Sequence, residues 1–214
     1  MVLYTVGRWV VRGYLNSLYG VAVSGLENIP QRGPGILAGN HLSYLDPPVI
    51  GAVVPRPVRF MAKAELFKIP IFNLFLRRIR TFPVHRGAAD RSAIRAALQV
   101  LEAGDLMALF PEGTRNRTGE LLPPQKGVAS IALRSHAPVI PVGITGTSIV
   151  DRRLHPMRRP LIRVSFGPPV DLDDLRTGAF SKHILAEASS RVMSAIERQI
   201  EICRKGRIRE AGGE

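Results

Sequence analysis

A histidine and an aspartate five residues apart mark the point where one apolar segment gives way to another. His41 follows the apolar run at residues 35–39, which predicts a buried strand, and Asp46 precedes residues 47–54, which predict a short helix. Sites in α/β proteins are often built where a strand ends and a helix begins. Imidazole takes up a proton near neutral pH, so a carboxylate that fixes its tautomer would make His41 a general base.

Asp46 also has a purely structural interpretation. Proline disfavours the helical conformation in the residue before it and suits the first helical position, so Asp46 stands where an N-cap is expected. A carboxylate at the start of a helix can cap that helix and still hold an imidazole. The pair alone therefore leaves catalysis and capping open.

Basic residues follow two further predicted strands. Arg86 comes after a short predicted strand, and Arg115 comes after the apolar strand predicted at residues 106–110. The planar guanidinium can donate two hydrogen bonds to one phosphate group. A solvated surface position is the ordinary alternative for an arginine in so basic a chain, but both residues directly follow predicted strands. We therefore expect them to bind phosphate, with Lys63 and Lys126 as supporting charges.

The composition favours an anionic partner. The chain has 214 residues, of which 30 are Lys or Arg and 17 are Asp or Glu, giving a formal net charge of +13. Such an excess suits either nucleic acid or the phosphates of a membrane surface. Only 6% of the residues are aromatic and the chain contains no recognised nucleic-acid-binding motif, so we expect no nucleic-acid partner.

Cysteine and histidine usage argues against a metal centre. The single Cys203 excludes an intramolecular disulfide and a cysteine-based metal cluster. The five histidines are scattered, and neither a Walker A nor a GxGxxG motif is present. We therefore expect no metal and no cofactor.

Apolar runs and helical periodicities alternate along the chain. Strands are predicted at residues 35–39, 58–62, 106–110, 139–144 and 161–166, with helices at residues 90–103, 126–135 and after the cap Ser181. The apolar segment at residues 69–76 predicts a buried helix or one that touches acyl chains. The alternation predicts a single α/β domain, with a mostly parallel or mixed sheet covered by helices. We place this domain at residues 24–203, ahead of a basic tail at residues 204–214.

Residues 1–23 predict an amphipathic helix ahead of that domain. Apolar side chains recur at helical spacing around Trp9 and Tyr14, while Arg8 and Arg12 lie four residues apart. A wide apolar face with tryptophan, tyrosine and arginine is typical of a helix that lies in a membrane interface. An ordinary packing helix of the domain is the alternative.

Four segments, in this order and at this spacing, resemble sequence blocks of the glycerophosphate acyltransferase superfamily. The closest likeness is to its 1-acylglycerol-3-phosphate acyltransferase (lysophosphatidate acyltransferase) branch. Asn40-His41-x4-Asp46 is similar to the HX4D block, and residues 82–86 (FPVHR) are similar to the arginine block. Residues 110–116 (FPEGTRN) match the EGTR block, and residues 139–142 (VIPV) match the final proline block. HX4D alone is a weak signal, and the FPEGTR segment behind it makes the match specific.

The resemblance implies an enzyme that moves a fatty acyl group from acyl-CoA or acyl carrier protein to a glycerophosphate hydroxyl. The expected acceptor is lysophosphatidic acid and the product phosphatidic acid. His41 would be the catalytic base and Asp46 would orient it. Glu112 would hold an arginine or an acceptor hydroxyl, within an acceptor phosphate site formed by Lys63, Arg86, Glu112, Gly113, Thr114 and Arg115. The protein would associate peripherally or monotopically with the cytoplasmic face of the cell membrane.

The arginine block departs from the family pattern. That block often opens with glycine and carries an acidic residue before its arginine, whereas Arg80 and His85 take those places here. The site is therefore more basic, which weakens the inference about acceptor identity, and His85 becomes a second candidate base. Cys203 lies far from every block, so we expect direct attack by the acceptor hydroxyl rather than an acyl-cysteine route.

Two other functions remain open at this point. The same chemistry would serve glycerol 3-phosphate, another lysophospholipid or a glycolipid as acceptor. A non-catalytic protein that binds membrane lipid would retain the same scaffold.

Overall fold

The computed structural model describes residues 2–68, 73, 81–84, 91–116, 120–150, 162–176 and 180–206. The strands in these residues are β1 Val21–Ser24, β2 Gly35–Gly39, β3 Val58–Lys63, β4 Phe82–Val84, β5 Leu106–Leu109, β6 Val139–Thr145 and β7 Ile162–Phe166. The helices are α1 Val2–Tyr19, α2 Asp46–Val53, α3 Arg91–Glu102, α4 Lys126–Ser135, α5 Thr147–Val150 and α6 Lys182–Arg204. Short 3-10 helices cover Leu26–Asn28, Ala64–Lys68 and Asp173–Leu175.

The described strands form one mixed sheet in the order β1-β7-β6-β2-β5-β3-β4. Strands β6, β2, β5, β3 and β4 run parallel, β7 is antiparallel to β6, and β1 is parallel to β7. The predicted α/β class with a mostly parallel sheet is thus confirmed. Parallel strands place their carboxyl ends at one edge of a sheet, so the segments after β2, β5 and β6 meet there.

Helices cover both faces of the sheet, and strand alternation assigns side chains to each face. Leu37 points into an apolar cluster with α1 and α2, whereas its neighbours Ile36 and Ala38 point into a cluster with α3, α4 and α6. All residues of β2 and β5 are buried, as expected for central strands covered on both sides. Each large apolar side chain buried in this way contributes roughly 1.5–3 kcal/mol.

Helix α6 lies directly against β6 because the strand contributes a glycine at the crossing. A Cβ atom at Gly143 would lie 2.3 Å from the backbone carbon of Gln199, so any side chain there would separate the two elements. The helix begins as predicted, with Ser181 Oγ accepting a hydrogen bond from the Ile184 amide at 3.2 Å. Its buried face includes the predicted Val192.

The N-terminal helix packs on the domain along one face. Leu15 and Tyr19 are buried in the cluster with α2, and Arg8 Nη1 donates to the Val54 carbonyl at 2.9 Å. From residue 7 onward, where the side chains of α1 are described, the large apolar ones left exposed are Trp9, Val10, Val11, Tyr14 and Leu18. The helix therefore combines a packed face with an exposed apolar stripe. Among the described residues, no helix is both long enough and apolar enough to cross a membrane.

The predicted helix over residues 1–23 extends too far. It ends at Tyr19, and residues 21–23 belong to β1, which pairs with β7. Gly20 has φ 66° and ends the helix in the left-handed conformation that glycine tolerates. The Asn16 side chain accepts from the Val21 amide at 3.1 Å and turns the chain into the strand. The sheet thus starts inside the segment that we had assigned to the helix.

Other predicted elements match the structure closely. The helix predicted at residues 126–135 has those bounds as α4, and the strands predicted at residues 139–144 and 161–166 appear as β6 and β7. The apolar segment at residues 69–76, apart from residue 73, lies outside the described residues, as does most of the basic tail.

Candidate active site

Three parallel strands bring polar residues together at their carboxyl ends. His41 follows β2, Glu112 follows β5, and Thr147 follows β6. Because β5 and β6 flank β2 on either side, these three segments converge although they are far apart in the sequence. A crevice at the carboxyl ends of the strands is the usual binding position in open α/β sheets.

The histidine and the aspartate form a tight pair. His41 Nδ1 lies 2.8 Å from Asp46 Oδ2, and the Asp46 side chain is completely buried. The same carboxylate oxygen accepts hydrogen bonds from the Leu42 and Ser43 amides at 2.7 and 2.8 Å. An ionised carboxylate oxygen can only accept hydrogen bonds, so the ring nitrogen that lies 2.8 Å from it must be the donor. Nδ1 therefore carries the imidazole proton. The lone pair of a neutral His41 is therefore at Nε2.

Asp46 does not cap its helix. It is the first residue of α2, Leu45 occupies the N-cap position, and no side chain makes a capping hydrogen bond there. Its carboxylate instead points back over the preceding turn toward Leu42 and Ser43. The capping interpretation is wrong, and proline in the first turn of α2 removes donors that a cap would have served.

The main chain of His41 is fixed from several directions. The His41 amide donates to Glu112 Oε1 at 2.9 Å, and its carbonyl accepts from the Asn116 amide at 2.7 Å. The imidazole stacks on Phe110, with ring centroids 4.1 Å apart and an interplanar angle of 17°. The preceding Asn40 bonds through its side chain to both backbone groups of Ile144, at 2.8 and 2.9 Å. His41 is thus held by the segments after β5 and by β6 as well as by its own loop.

Glu112 has a different place from the one expected. It is only 2% exposed, and its second oxygen, Oε2, accepts from the Leu122 amide at 3.1 Å. Its described partners are backbone amides, whereas an arginine or an acceptor hydroxyl was expected, and the acceptor role stays a prediction. Burial raises the pKa of Glu112 above 4.5, although the amide hydrogen bonds from His41 and Leu122 act in the opposite direction.

The two ends of the segment that follows Glu112 are both hydrogen-bonded to the backbone just before Glu112. The Gly113 amide donates to the Phe110 carbonyl at 2.9 Å, and the Gln125 amide donates to the Pro111 carbonyl at 2.7 Å. Gly113 has φ 67°, and a Cβ there would lie 2.8 Å from Gln125 Cγ, so the turn requires glycine. We call residues 112–125 the bracketed segment.

Arg115 is a half-buried residue of the bracketed segment, next to the exposed Thr114. Its guanidinium carbon is 3.4 Å from the centroid of the Tyr44 ring, which makes a cation–π contact. Tyr44 is 69% exposed, and Thr114 is exposed as well. The structure therefore brings the HX4D and EGTR segments into direct side-chain contact.

Comparison with known proteins assigns the chain to a family. A family model described as Acyltransferase matches residues 20–145, which is more than half of the chain. The chain belongs to the acyltransferase family.

Three relatives illustrate the likeness. A Bacillus subtilis 1-acyl-sn-glycerol-3-phosphate acyltransferase is 34% identical over 60% of this chain and 64% of its own length. One from Limnanthes douglasii is 31% identical over 77% of this chain and 60% of its own length. The crystal structure of the 1-acyl-sn-glycerophosphate (LPA) acyltransferase PlsC from Thermotoga maritima has a TM-score of 0.73 at 29% identity, covering 98% of this chain and 81% of that one. The chain spans about three fifths of the length of the first two relatives.

The remaining predicted site residues of this acyltransferase are only partly described. Lys63 ends β3 at the carboxyl edge of the sheet, next to β5, so its backbone is near the site. Lys126 opens α4 directly after the bracketed segment. Arg86 and the second candidate base His85 lie outside the described residues.

The lone cysteine of this acyltransferase is poorly suited to carry an acyl group. Cys203 is completely buried, and its Sγ lies 3.4 Å from the Gly143 carbonyl. Burial raises the pKa of the Cys203 thiol to about 12, so the nucleophilic thiolate is scarce at neutral pH. Both observations favour an acyl transfer that does not pass through cysteine.

Sequence reasoning missed three residues that shape this site: Asn40, Phe110 and Thr147. Asn40 and Phe110 lie inside the recognised blocks, and their types gave no signal for the roles they take. Thr147 lies just beyond the proline block, in a segment to which the sequence analysis assigned no role. Its Oγ1 donates to Asp46 Oδ1 at 2.7 Å.

Proposed function

We propose that this protein transfers a fatty acyl group from an acyl thioester to the sn-2 hydroxyl of 1-acylglycerol 3-phosphate, giving phosphatidic acid. The observation that carries the proposal is the His41–Asp46 pair, in which Nδ1 is occupied by a buried carboxylate and Nε2 remains for the acceptor. The names of the relatives supply the substrate class. The His41 side chain is 12% exposed, so part of it remains accessible from solvent.

The proposed reaction is a direct displacement. Nε2 of His41 takes the proton of the acceptor hydroxyl while its oxygen attacks the thioester carbonyl carbon. Asp46 stabilises the imidazolium that forms, as in other base–orienter pairs. Collapse of the tetrahedral intermediate breaks the carbon–sulfur bond, and the departing thiolate takes the proton back from His41. The new ester and the free thiol account for every atom and proton.

The proposed acceptor phosphate site is centred on Arg115. Arg115 stands beside the HX4D turn, on the same side of the sheet edge as the base, and its guanidinium suits a phosphate. Gly113 and Thr114 form the turn that carries it, and Lys63 and Arg86 are proposed to add charge. Glu112 is proposed to act indirectly, by fixing the His41 main chain and the bracketed segment together.

We further propose that the protein lies on the cytoplasmic face of the cell membrane, with α1 as a peripheral or monotopic attachment. The exposed stripe at Trp9, Val10, Tyr14 and Leu18 suits the interfacial layer, and the net charge of +13 suits anionic headgroups. Replacing exposed Trp9 and Tyr14 by serine should weaken binding to anionic vesicles and leave the core of α1 intact. Unchanged vesicle binding by that variant would remove α1 as the attachment.

The function is tested by an acceptor and donor screen. Radiolabelled acyl-CoA or acyl carrier protein is offered with lysophosphatidic acid, glycerol 3-phosphate and other lysolipids, and the lipid products are separated. Labelled phosphatidic acid from lysophosphatidic acid, lost on His41→Ala, is the expected result. Turnover only with another acceptor would redirect the substrate assignment. Vesicle binding without turnover on any acceptor would favour a lipid-binding protein.

A further inference from the structure

The carboxylate that holds His41 has a hydroxyl donor on its far side. Thr147 Oγ1 lies 2.7 Å from Asp46 Oδ1, and both residues have no exposed surface. Thr147 stands at the start of α5, directly after β6, and is 101 residues away from Asp46 in the chain. The contact therefore exists only because β6 lies beside β2 in the sheet.

The two oxygens of Asp46 have very different surroundings. Oδ2 accepts from His41 Nδ1 and from the amides of Leu42 and Ser43. Among the described residues, Oδ1 accepts only from Thr147. A buried carboxylate oxygen with no donor is costly, and the donor on Oδ1 adds a second restraint on the rotation of the carboxylate, beside the three donors on Oδ2.

We propose that Thr147 is a positioning residue for acyl transfer, acting through Asp46 on the base. Its hydroxyl keeps the plane of the carboxylate aligned with Nδ1 of His41, so that Nε2 keeps its direction toward the acceptor hydroxyl. It also supports the negative charge that Asp46 must carry when His41 becomes an imidazolium. The proposal rests on the proposed function, and it extends the site to a residue beyond the four sequence blocks.

The backbone around Thr147 supports a fixed donor. The preceding Gly146 has φ 88°, which allows the sharp exit from β6 into α5. The adjacent end of β6 is tied to the base loop by the two hydrogen bonds between Asn40 and Ile144. Thr147 is therefore held against the loop that carries His41, so its hydroxyl is a stable reference point for Asp46.

The test compares Thr147→Ser with Thr147→Ala, because these two variants differ only by the hydroxyl. We expect Thr147→Ser to retain most of the turnover, and Thr147→Ala to lower kcat roughly ten- to hundredfold with KM for both substrates unchanged. Thr81→Ala is a matched control, since Thr81 is also buried and its Oγ1 has no partner among the described residues. That variant should keep kcat, and circular dichroism should show all three to be folded.

A second measurement separates this proposal from the proposed function. The proton on His41 Nδ1 is followed by NMR, in protein without substrate. Thr147→Ala should shift that resonance and speed its exchange with water, whereas Thr147→Ser and Thr81→Ala should not. Equal kcat or an unchanged resonance in Thr147→Ala and Thr147→Ser would overturn the role of Thr147. Absence of turnover in the unmodified protein would instead count against the proposed function. The NMR comparison would still show whether the hydrogen bond from Thr147 to Asp46 affects the Nδ1 proton of His41.

Discussion

The two sides of the candidate site are built in opposite ways. On the side of the proposed base, His41 and Asp46 are held by buried or partly buried hydrogen bonds at three strand ends. On the acceptor side, Arg115 rests on an exposed tyrosine ring. The contrast indicates that the proposed proton-transfer pair is held in place by the fold, whereas the proposed phosphate contact rests on a less enclosed pair of side chains. Pre-organisation of this kind is most valuable where the reacting atoms must be aligned.

The largest effect is expected from the base side. His41→Ala removes the proposed proton acceptor, and Asp46→Asn places an amide where two backbone donors and an imidazole require an acceptor. Each should lower kcat by roughly 10²- to 10⁴-fold, because that is the usual contribution of general base catalysis. Steady-state rates of thiol release with lysophosphatidic acid measure it. If either variant kept full turnover in a folded protein, the pair would not be the catalytic centre.

A smaller effect, of a different kind, is expected from changes to Arg115. Arg115→Gln should raise KM for the acceptor roughly ten- to hundredfold, as expected for losing a charged hydrogen bond to phosphate, and leave kcat nearly unchanged. Arg115→Lys should recover only part of the loss, because lysine lacks the planar fork. A fall in kcat with constant KM would place Arg115 at the reacting centre and remove the contrast between the two sides.

Glu112 joins the two sides, and its effect should depend on pH. Glu112→Gln leaves one buried amide without an acceptor, which costs about 1–3 kcal/mol of unfolding free energy. Because burial raises the pKa of Glu112 in the folded state, ionisation favours the unfolded chain as the pH rises above 4.5. The stability advantage of the unmodified protein over the variant should therefore be greatest below pH 4.5 and smaller at neutral pH.

Urea unfolding of both proteins at acidic and neutral pH measures this difference. Glu120→Gln is a suitable control, since Glu120 is an exposed glutamate of the same segment. An advantage that grew with pH would mean that the amide hydrogen bonds outweigh the effect of burial.

The smallest effect on acceptor binding is expected from changes to the Tyr44 ring, which Arg115 contacts. Tyr44→Leu removes the cation–π contact, which is worth about 0.5–1 kcal/mol at an exposed position. KM for the acceptor should rise only about two- to fivefold. Tyr44→Phe keeps the ring and should behave like the unmodified protein. A large loss in the phenylalanine variant would show that the hydroxyl, and not the ring, carries the contact.

The parts of the site that are local in sequence could be predicted. His41 and Asp46 lie five residues apart on one turn, so their pairing follows from the spacing, and the structure brings them together. The bounds of α4 and the cap at Ser181 also follow from local patterns. The catalytic role of His41 and Asp46 stays a prediction.

The parts that depend on strand order could not be predicted. Asn40 meets Ile144 across 104 residues, and Asp46 meets Thr147 across 101, so nothing near either residue indicates its partner. The residue type of Glu112 suits a substrate ligand, and nothing near it in the sequence indicates that it is buried and accepts a hydrogen bond from the His41 amide. Strand β1 was missed because its first residues continue the apolar pattern of α1, and Gly20 alone marks the change.

We expect the bracketed segment to tolerate changes in its length. Between the contact of Asn116 with the His41 carbonyl and that of Leu122 with Glu112, the chain is clamped at both ends. Extra residues inserted between those two contacts lengthen a connection whose ends are fixed, and doubling the length of such a connection costs only about 0.6 kcal/mol. Loops of other lengths can therefore be grafted there without moving the imidazole. The proposed acceptor preference would then be open to redesign while the proposed proton-transfer pair stays unchanged.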